Sequence, residues 1–147
     1  MGVYRRILLA VDLTDDSLVV GRRAVEIARL TGAPIDVLHV FEFVPVEPVG
    51  EALMPAVQIE QELLERTRER LEALVEDLGL QDAERFVEAG SVKSEILRIA
   101  RERGCDLIVL GCRERHGVSI LVNLTEDTVL HGAPCDLLAV RVGGRPR

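Results

Sequence analysis

Short apolar runs alternate along the chain with longer segments of helical periodicity. The first run, Ile7–Val11, is hydrophobic at consecutive positions, whereas a strand with one face in water would alternate apolar and polar residues. Strands of this kind, separated by helices, predict a parallel sheet with crossover connections. The predicted strands, in chain order, are Arg6–Asp12, Ile35–Phe41, Glu84–Glu88, Leu107–Leu110 and Leu137–Val142.

Four segments have the apolar spacing of amphipathic helices. In the longest of them the apolar residues fall on one stripe, which we expect to pack against the sheet while Glu and Arg face the solvent. The predicted helices are Asp16–Leu30, Ala56–Leu78, Val92–Arg103 and Asn123–His131. The stripe of the second helix consists of Val57, Leu63, Leu64, Leu71, Leu74, Val75 and Leu78.

Two segments lack such periodicity. Glu42–Pro55 contains three prolines and predicts a loop, which we expect to lie as a flexible flap over the carboxyl ends of the first two strands. A frayed tail is predicted over residues 142–147. Because the chain has no internal repeat and no linker, residues 1–147 are expected to form a single domain.

The composition excludes several classes of protein. The apolar runs are far too short to span a bilayer, so no membrane insertion is expected. The net charge of −7 and the aromatic content of 3% argue against nucleic acid as the main partner, since binding it needs a basic face or stacking aromatic residues. The three cysteines lack metal-like spacing and are typical of a reducing cytoplasm.

Two polar segments follow predicted strands at the edge where ligands bind in open parallel sheets. One is Asp12–Asp16, after the first strand, and the other is Gly111–Ser119, after the fourth. Glycines in such a loop let the backbone approach a phosphate. Ser119 and Thr125 have no histidine and carboxylate in a recognisable arrangement, so a hydrolase triad is not supported.

Several segments resemble the universal stress protein family. These are Arg6–Asp12, Val37–Val40, Cys105–Gly111 and Ala133–Arg141, and the similarity extends in the right order from Arg6 to Arg141. The resemblance implies an α/β fold of the Rossmann-like kind: an open five-stranded parallel sheet of order 3-2-1-4-5, with helices on both faces. It also implies a homodimer in which the last strand, here Leu137–Val142, pairs across a two-fold axis.

Many members of that family bind ATP, and the resemblance implies where a nucleotide would lie. Their phosphate motif is a glycine after strand four, a second glycine three residues on, and Gly-Ser or Gly-Thr about ten residues later. Here Gly111 occupies the first position, but Glu114 stands at the second and Asn123–Leu124 at the third, with Thr125 as the nearest hydroxyl.

These departures predict weakened binding of a phosphate. One carboxylate about 6 Å from one phosphate charge, at an effective dielectric of about 20, costs roughly 3 kcal/mol. Glu114 adds such a charge, and Glu126 and Asp127 follow in the first turn of the predicted last helix. Arg113, Arg115 and His116 could supply counter-charge. We therefore expect ATP or another adenine nucleotide, with Mg²⁺, to bind weakly, and a protein with no cofactor is an equal alternative.

Other candidate positions have a structural reading beside the functional one. The resemblance places Asp12 near ribose or phosphate groups, often with a divalent metal, but an aspartate there can also cap the following loop. It places Val40 at the adenine pocket, although a strand valine is core by default. The candidate binding residues are Ala10, Asp12, Val40, Gly111, Arg113, His116, Gly117 and Thr125.

The expected function is a cytoplasmic, dimeric stress-response sensor or adaptor, acting on a protein partner that the sequence does not identify. The alternative is an ATP-binding enzyme with slow ATP hydrolysis or adenylyl transfer. The loop after strand four separates the two readings, because phosphoryl chemistry needs a cradle with surplus positive potential. The carboxylates in this loop favour the first reading.

Overall fold

A computed structural model describes residues 2–42, 53–113, 129 and 131–143. Its five strands form one parallel sheet in the order β3-β2-β1-β4-β5, which confirms the predicted fold class and strand order. The elements, in chain order, are β1 (Ile7–Ala10), α1 (Ser17–Thr31), β2 (Ile35–Phe41), α2 (Leu53–Asp77), β3 (Glu84–Ala89), α3 (Val92–Arg103), β4 (Leu107–Arg113) and β5 (Asp136–Val142).

Helices cover both faces of the sheet, and this explains the continuous apolar runs. Successive residues of a strand point to opposite faces, so Ile7 and Leu9 of β1 pack against α1 and α2, whereas Leu8 packs against α3. All three side chains are fully buried. The centre of the sheet is therefore a buried middle layer, whereas the outer strands β3 and β5 are partly exposed.

The packing of α1 against α2 depends on a glycine. A Cβ atom at Gly21 of α1 would lie 2.4 Å from Cδ1 of Leu78, which follows the last residue of α2. A side chain at Gly21 would therefore require the Leu78 side chain to move. The helix α1 ends at Thr31 and is followed by Gly32. The φ of Gly32 is 74°, the left-handed conformation that favours glycine at helix ends.

The second helix begins earlier than predicted. It starts at Leu53, so the prediction that the loop reaches Pro55 is wrong. Proline is tolerated in the first turn of a helix because the amides there have no partner within the helix. The predicted flap lies mainly in residues 43–52, outside the described part of the chain.

Among the described side chains of the α2 stripe, from Leu63 to Leu78, those in the core lie in the carboxyl-terminal part of the helix. Leu63 is 43% exposed and Leu64 is half-buried. The members of the stripe that are buried are Leu71, Leu74, Val75 and Leu78. The expectation that the whole stripe packs against the sheet is therefore wrong for the middle of the helix.

Other boundaries shift by a few residues. The predicted end of the first strand at Asp12 is too late, because β1 stops at Ala10 and Leu13 takes a left-handed conformation. The fourth strand, predicted to end at Leu110, continues to Arg113 because its last residues pair with β5. Most of the predicted helix Asn123–His131 lies outside the described residues. In the described part of the chain, no helix is both long and apolar enough to cross a membrane.

Candidate functional site

The strand order reverses between β1 and β4, which is where open parallel sheets bind ligands. Pairing in register joins Leu9 of β1 to Val109, so the carboxyl ends of these strands lie side by side. The candidate residues Ala10, Asp12, Val40, Gly111 and Arg113 all stand at or just beyond this edge. The remaining candidates, His116, Gly117 and Thr125, lie outside the described residues.

The Asp12 carboxylate organises the turn between β1 and α1. Its Oδ1 atom accepts hydrogen bonds from the Thr14 amide at 3.0 Å, the Thr14 hydroxyl at 2.7 Å and the Ser17 hydroxyl at 3.0 Å. By contrast, the N-cap residue Asp16 makes no side-chain capping bond. Asp12 is thus a cap for this loop, as one of its two interpretations predicts. Its side chain is also exposed, so a ligand can reach it.

The turn itself has a disfavoured backbone conformation at Leu13. The φ angle of Leu13 is 60°, which places a non-glycine residue in the left-handed region. The Leu13 side chain is only 7% exposed, and this burial offsets the conformational cost. The Arg70 guanidinium of α2 donates a hydrogen bond through Nη2 to the Leu13 carbonyl.

A second side chain contacts the same turn from β2. Nδ1 of His39 lies 2.8 Å from the Val11 carbonyl oxygen, and since a carbonyl only accepts, Nδ1 carries the hydrogen. The Val11 amide continues the sheet by donating to the Leu38 carbonyl at 2.9 Å. The turn is therefore held by one other strand, β2, and one helix, α2. The choice of candidate ligand residues from the sequence did not include His39 or Arg70.

Three of the candidate residues have packing roles in addition. A Cβ at Gly111 would lie 3.1 Å from Cγ2 of Val20 in α1, so the glycine permits α1 to approach β4. Val40 is 9% exposed and belongs to the core on the α3 face, against which Ala10 also packs. The default reading of Val40 as a core residue is confirmed.

A different charged cluster lies at the amino edge of the sheet. Asp36 at the start of β2 is 1% exposed and is paired with Arg6 Nη1 at 3.0 Å and Arg103 Nε at 3.0 Å. The hydrogen bond that Arg103 donates to the Asp36 carboxylate raises the pKa of Arg103, whose guanidinium also lies 5.5 Å from the centre of the Phe86 ring. Burial, together with the charge of Asp36, raises the pKa of the Cys105 thiol to about 12.

Two further carboxylates at that edge are held by the amino-terminal segment. Burial acts to raise the pKa of Asp106, but hydrogen bonds from the Arg6 and Arg5 amides outweigh it, and the pKa is below its usual value. Asp136 accepts a hydrogen bond from the Tyr4 hydroxyl at 2.9 Å, and this bond raises the pKa of Tyr4. These partners are all within the protein, so the cluster is structural.

A parallel sheet of this order, with helices on both faces and a polar turn where the order reverses, defines a Rossmann-like α/β domain. Comparison with known proteins narrows the class. The model of the universal stress protein family matches residues 3–141, and the chain belongs to that family.

Individual relatives agree with this assignment. The universal stress protein A homolog 2 of Coxiella burnetii is 34% identical over 146 residues, covering 98% of this chain and 99% of the relative. The structure of the universal stress protein UspA from Lactobacillus plantarum has a TM-score of 0.70 at 24% identity, over 94% of this chain and 98% of that one. A universal stress protein solved in complex with cAMP has a TM-score of 0.62 at 19% identity, over 93% and 96% of the two chains.

Proposed function

We propose that this universal stress protein is a homodimeric sensor or adaptor of the stress response in which adenine-nucleotide binding is weak or absent. The observation that carries the proposal is the contrast between the two sides of the switch point. The β1 side has an ordered, accessible turn around Asp12. The β4 side is followed in sequence by Glu114, where the family's phosphate motif has glycine.

The β1 side supports recognition of a nucleotide. Asp12 is exposed at the carboxyl edge, and its turn leads directly into the amino terminus of α1, where backbone amides favour negative charge. Ala10 and Val40 are apolar residues near the same edge of the sheet, and both pack on the α3 face. A structural relative in complex with cAMP makes an adenine nucleotide the natural ligand to test. Three donors already bind the Oδ1 atom of Asp12, so this oxygen has little remaining capacity to accept hydrogen bonds from a ligand.

The β4 side supports weak affinity. Gly111 lies in the strand and is explained by contact with Val20, so its presence does not require a phosphate. Beyond Arg113 the sequence places carboxylates at Glu114, Glu126 and Asp127, and each opposes a bound phosphate through charge repulsion. Arg113, His116, Gly117 and Thr125 remain the residues proposed to contact the phosphates.

The donor set fits a Mg²⁺ ion only together with a nucleotide. Mg²⁺ in nucleotide sites is held by one or two carboxylates plus substrate phosphates, and Asp12 is an exposed carboxylate at the described edge, directly after β1. Within the described residues no group of three or more His, Cys, Asp and Glu side chains is arranged to hold a metal ion. Asp12 would therefore bind the ion that accompanies the phosphates, through the carboxylate oxygens.

The proposed dimer uses the outer edge of the sheet. In the described sheet β5 pairs with β4 on one side and is the last strand, so its other edge has backbone groups able to pair with a second copy. Val140 is already buried within one chain, whereas Leu138 is half-buried and Ala139 is exposed. Antiparallel pairing over Leu137–Val142 would thus cover Leu138 and Ala139 rather than Val140.

Two broader expectations accompany this proposal. The described strands form one sheet, and the described helices pack on it. This arrangement supports a single domain over residues 1–147. The three cysteines are free thiols, which supports a cytoplasmic location.

One measurement tests nucleotide and assembly together. Native mass spectrometry of freshly purified protein should show the mass of a dimer, with little or no adenine nucleotide retained. Calorimetry with ATP and with cAMP should then give weak binding that Asp12→Asn weakens further. A monomer at micromolar concentration would overturn the dimer, and a tightly co-purifying nucleotide would overturn the proposed weak affinity.

A further inference from the structure

The turn after β1 is held by side chains from two other elements, at alternate carbonyls. His39 of β2 donates to the Val11 carbonyl and Arg70 of α2 donates to the Leu13 carbonyl. The intervening residue is Asp12, the candidate ligand. Each peptide group is planar, so fixing these two carbonyls fixes the Val11–Asp12 and Leu13–Thr14 peptide planes, which enclose Asp12 and Leu13.

Such a turn needs external support. Leu13 has a positive φ of 60°, a conformation that a leucine rarely adopts unless the surrounding structure determines it. A donor with a full positive charge makes a stronger hydrogen bond than a neutral one. The guanidinium of Arg70 therefore stabilises the turn at the residue whose backbone conformation is the least favourable.

The position of Arg70 along α2 gives this contact a second consequence. Among the side chains of α2 that the structure describes, from Glu60 onward, Leu71 is the first in the core cluster, while those from Glu60 to Arg70 are exposed or half-buried. Arg70 thus lies where the helix passes from the core to the solvent-exposed stretch. Its hydrogen bond connects that stretch to the turn that presents Asp12.

We infer that Arg70 is a positioning residue for the candidate ligand site, and that through it the order of the turn and the placement of α2 are coupled. The inference rests on the proposed function only for the identity of the ligand. Coupling is reciprocal: a nucleotide that binds the ordered turn also stabilises the contact with α2, and a partner that displaces α2 lowers the affinity for the nucleotide. The proposal assigns α2 a role in transmitting the state of the site.

Four proteins test the inference without relying on a ligand. They are the wild type, Arg70→Met, Arg70→Lys and Arg68→Met. Methionine keeps an apolar stem but removes the donor, lysine keeps the charge and a donor, and Arg68 is an exposed arginine of the same helix. Hydrogen exchange is followed at the Thr14 and Ser17 amides, which bond to Asp12 Oδ1 and the Thr14 carbonyl. The Cys105 amide, bonded to Ala100, reports on global opening.

Arg70→Met should accelerate exchange at Thr14 and Ser17 by roughly fivefold to tenfold, as expected for one lost hydrogen bond, with no change at Cys105. Arg70→Lys should restore most of the protection, and Arg68→Met should resemble the wild type. Unchanged exchange at the turn in Arg70→Met, or the same increase in Arg68→Met, would overturn the inference. Equal acceleration at Cys105 would overturn it too, since it would reveal a general loss of stability.

Calorimetry on the same proteins adds the ligand. ATP affinity should fall by roughly threefold to tenfold in Arg70→Met and change by less than about twofold in Arg68→Met. If the wild type binds no nucleotide while Arg70→Met still loosens the turn, nucleotide binding by this family member is ruled out and the positioning role of Arg70 stands. Full affinity in Arg70→Met with a loosened turn would overturn the coupling to the site.

Discussion

The two ends of the sheet each carry an aspartate, and the two aspartates differ in burial and in their hydrogen-bond partners. At the amino end Asp36 is 1% exposed and paired with the charged groups of Arg6 and Arg103. At the carboxyl end Asp12 is exposed, and the donors to its Oδ1 atom are two hydroxyls and an amide. The first carboxylate is surrounded by opposite charge within the fold. The three donors named at Oδ1 of the second are neutral.

The amino end of the sheet thus contributes mainly to stability, whereas the carboxyl end carries the candidate binding site. A buried ion pair that loses one partner destabilises a protein strongly, so the amino end tolerates little change. The carboxyl end contains a positive-φ leucine and a turn fixed through its carbonyls, features that are common at binding sites. We expect substitutions at the two ends to have distinct consequences.

The largest effect is expected at the amino end. Asp36→Ala should lower the free energy of unfolding by roughly 3 kcal/mol, because it leaves Arg6 and Arg103 without their shared partner. Asp12→Ala, the matched change at the other end, should cost only about 1 kcal/mol as a lost cap. Urea denaturation of both variants provides the measurement. Equal losses would mean that the two ends do not differ in the way described.

A smaller loss of stability is expected where the carboxyl end meets α1. Gly111→Ala should cost about 2 kcal/mol through overpacking, because the new Cβ would lie 3.1 Å from Cγ2 of Val20. Val20→Ala removes that contact. The double variant should therefore lose less stability than the sum of the losses measured for the two single variants. Strict additivity in a double-mutant cycle, followed by chemical denaturation, would show that Gly111 has no packing role.

Nucleotide affinity should respond to the loop beyond β4. The triple variant Glu114→Gly, Asn123→Gly and Leu124→Ser restores the family motif, and we expect ATP affinity to rise at least about tenfold, equivalent to about 1.4 kcal/mol. Added salt should reduce the gain if charge is its main cause.

Calorimetry on the triple variant measures this gain. Glu76→Gln, which removes an exposed carboxylate of α2, is the control and should leave affinity unchanged. No gain in the triple variant would locate the loss of binding outside this loop, and tight binding by the wild type would show that Arg113 and His116 compensate.

The smallest effect is a pH dependence at the amino end. The pKa of Asp106 is lower in the folded protein than its usual value, so its stabilisation is present above the unfolded-state pKa and is lost as pH falls through the folded-state pKa. Asp106→Asn should therefore show a flatter decline in stability below about pH 4 than the wild type. Denaturation at a series of pH values tests this, and parallel curves for the two proteins would contradict it.

The order of elements was predictable, because hydrophobic runs buried on both faces leave few alternatives to a parallel sheet. The ends of the elements were less so. Gly111 suggested the end of a strand, yet pairing with Val140 carries β4 past it. Pro55 suggested a loop, although the first turn of a helix accepts proline. Local residue preference was overruled in both cases by pairing or by helix geometry.

The support of the site was harder to predict than its candidates. Asp12 was identified through its place after an apolar strand. His39 offered a signal as a polar residue in a strand that is mostly apolar. Arg70 offered none, because several arginines follow one another at similar spacing in α2 and only the three-dimensional packing selects the one that reaches Leu13. Contacts from side chain to backbone carbonyl have no sequence signature, since every residue has a carbonyl.

The length of α2 has a mechanical consequence. The helix has 25 residues, and among its described side chains Leu71 is the first in the core cluster. Leu53 lies about 27 Å along the helix axis from Leu71 at a rise of about 1.5 Å per residue. A tilt of about 10° at Leu71 would displace Leu53 by about 5 Å, while the buried end would hardly move. A small change in the direction of α2 near Arg70, which contacts the turn that carries Asp12, would therefore become a large displacement at the amino-terminal end of the helix.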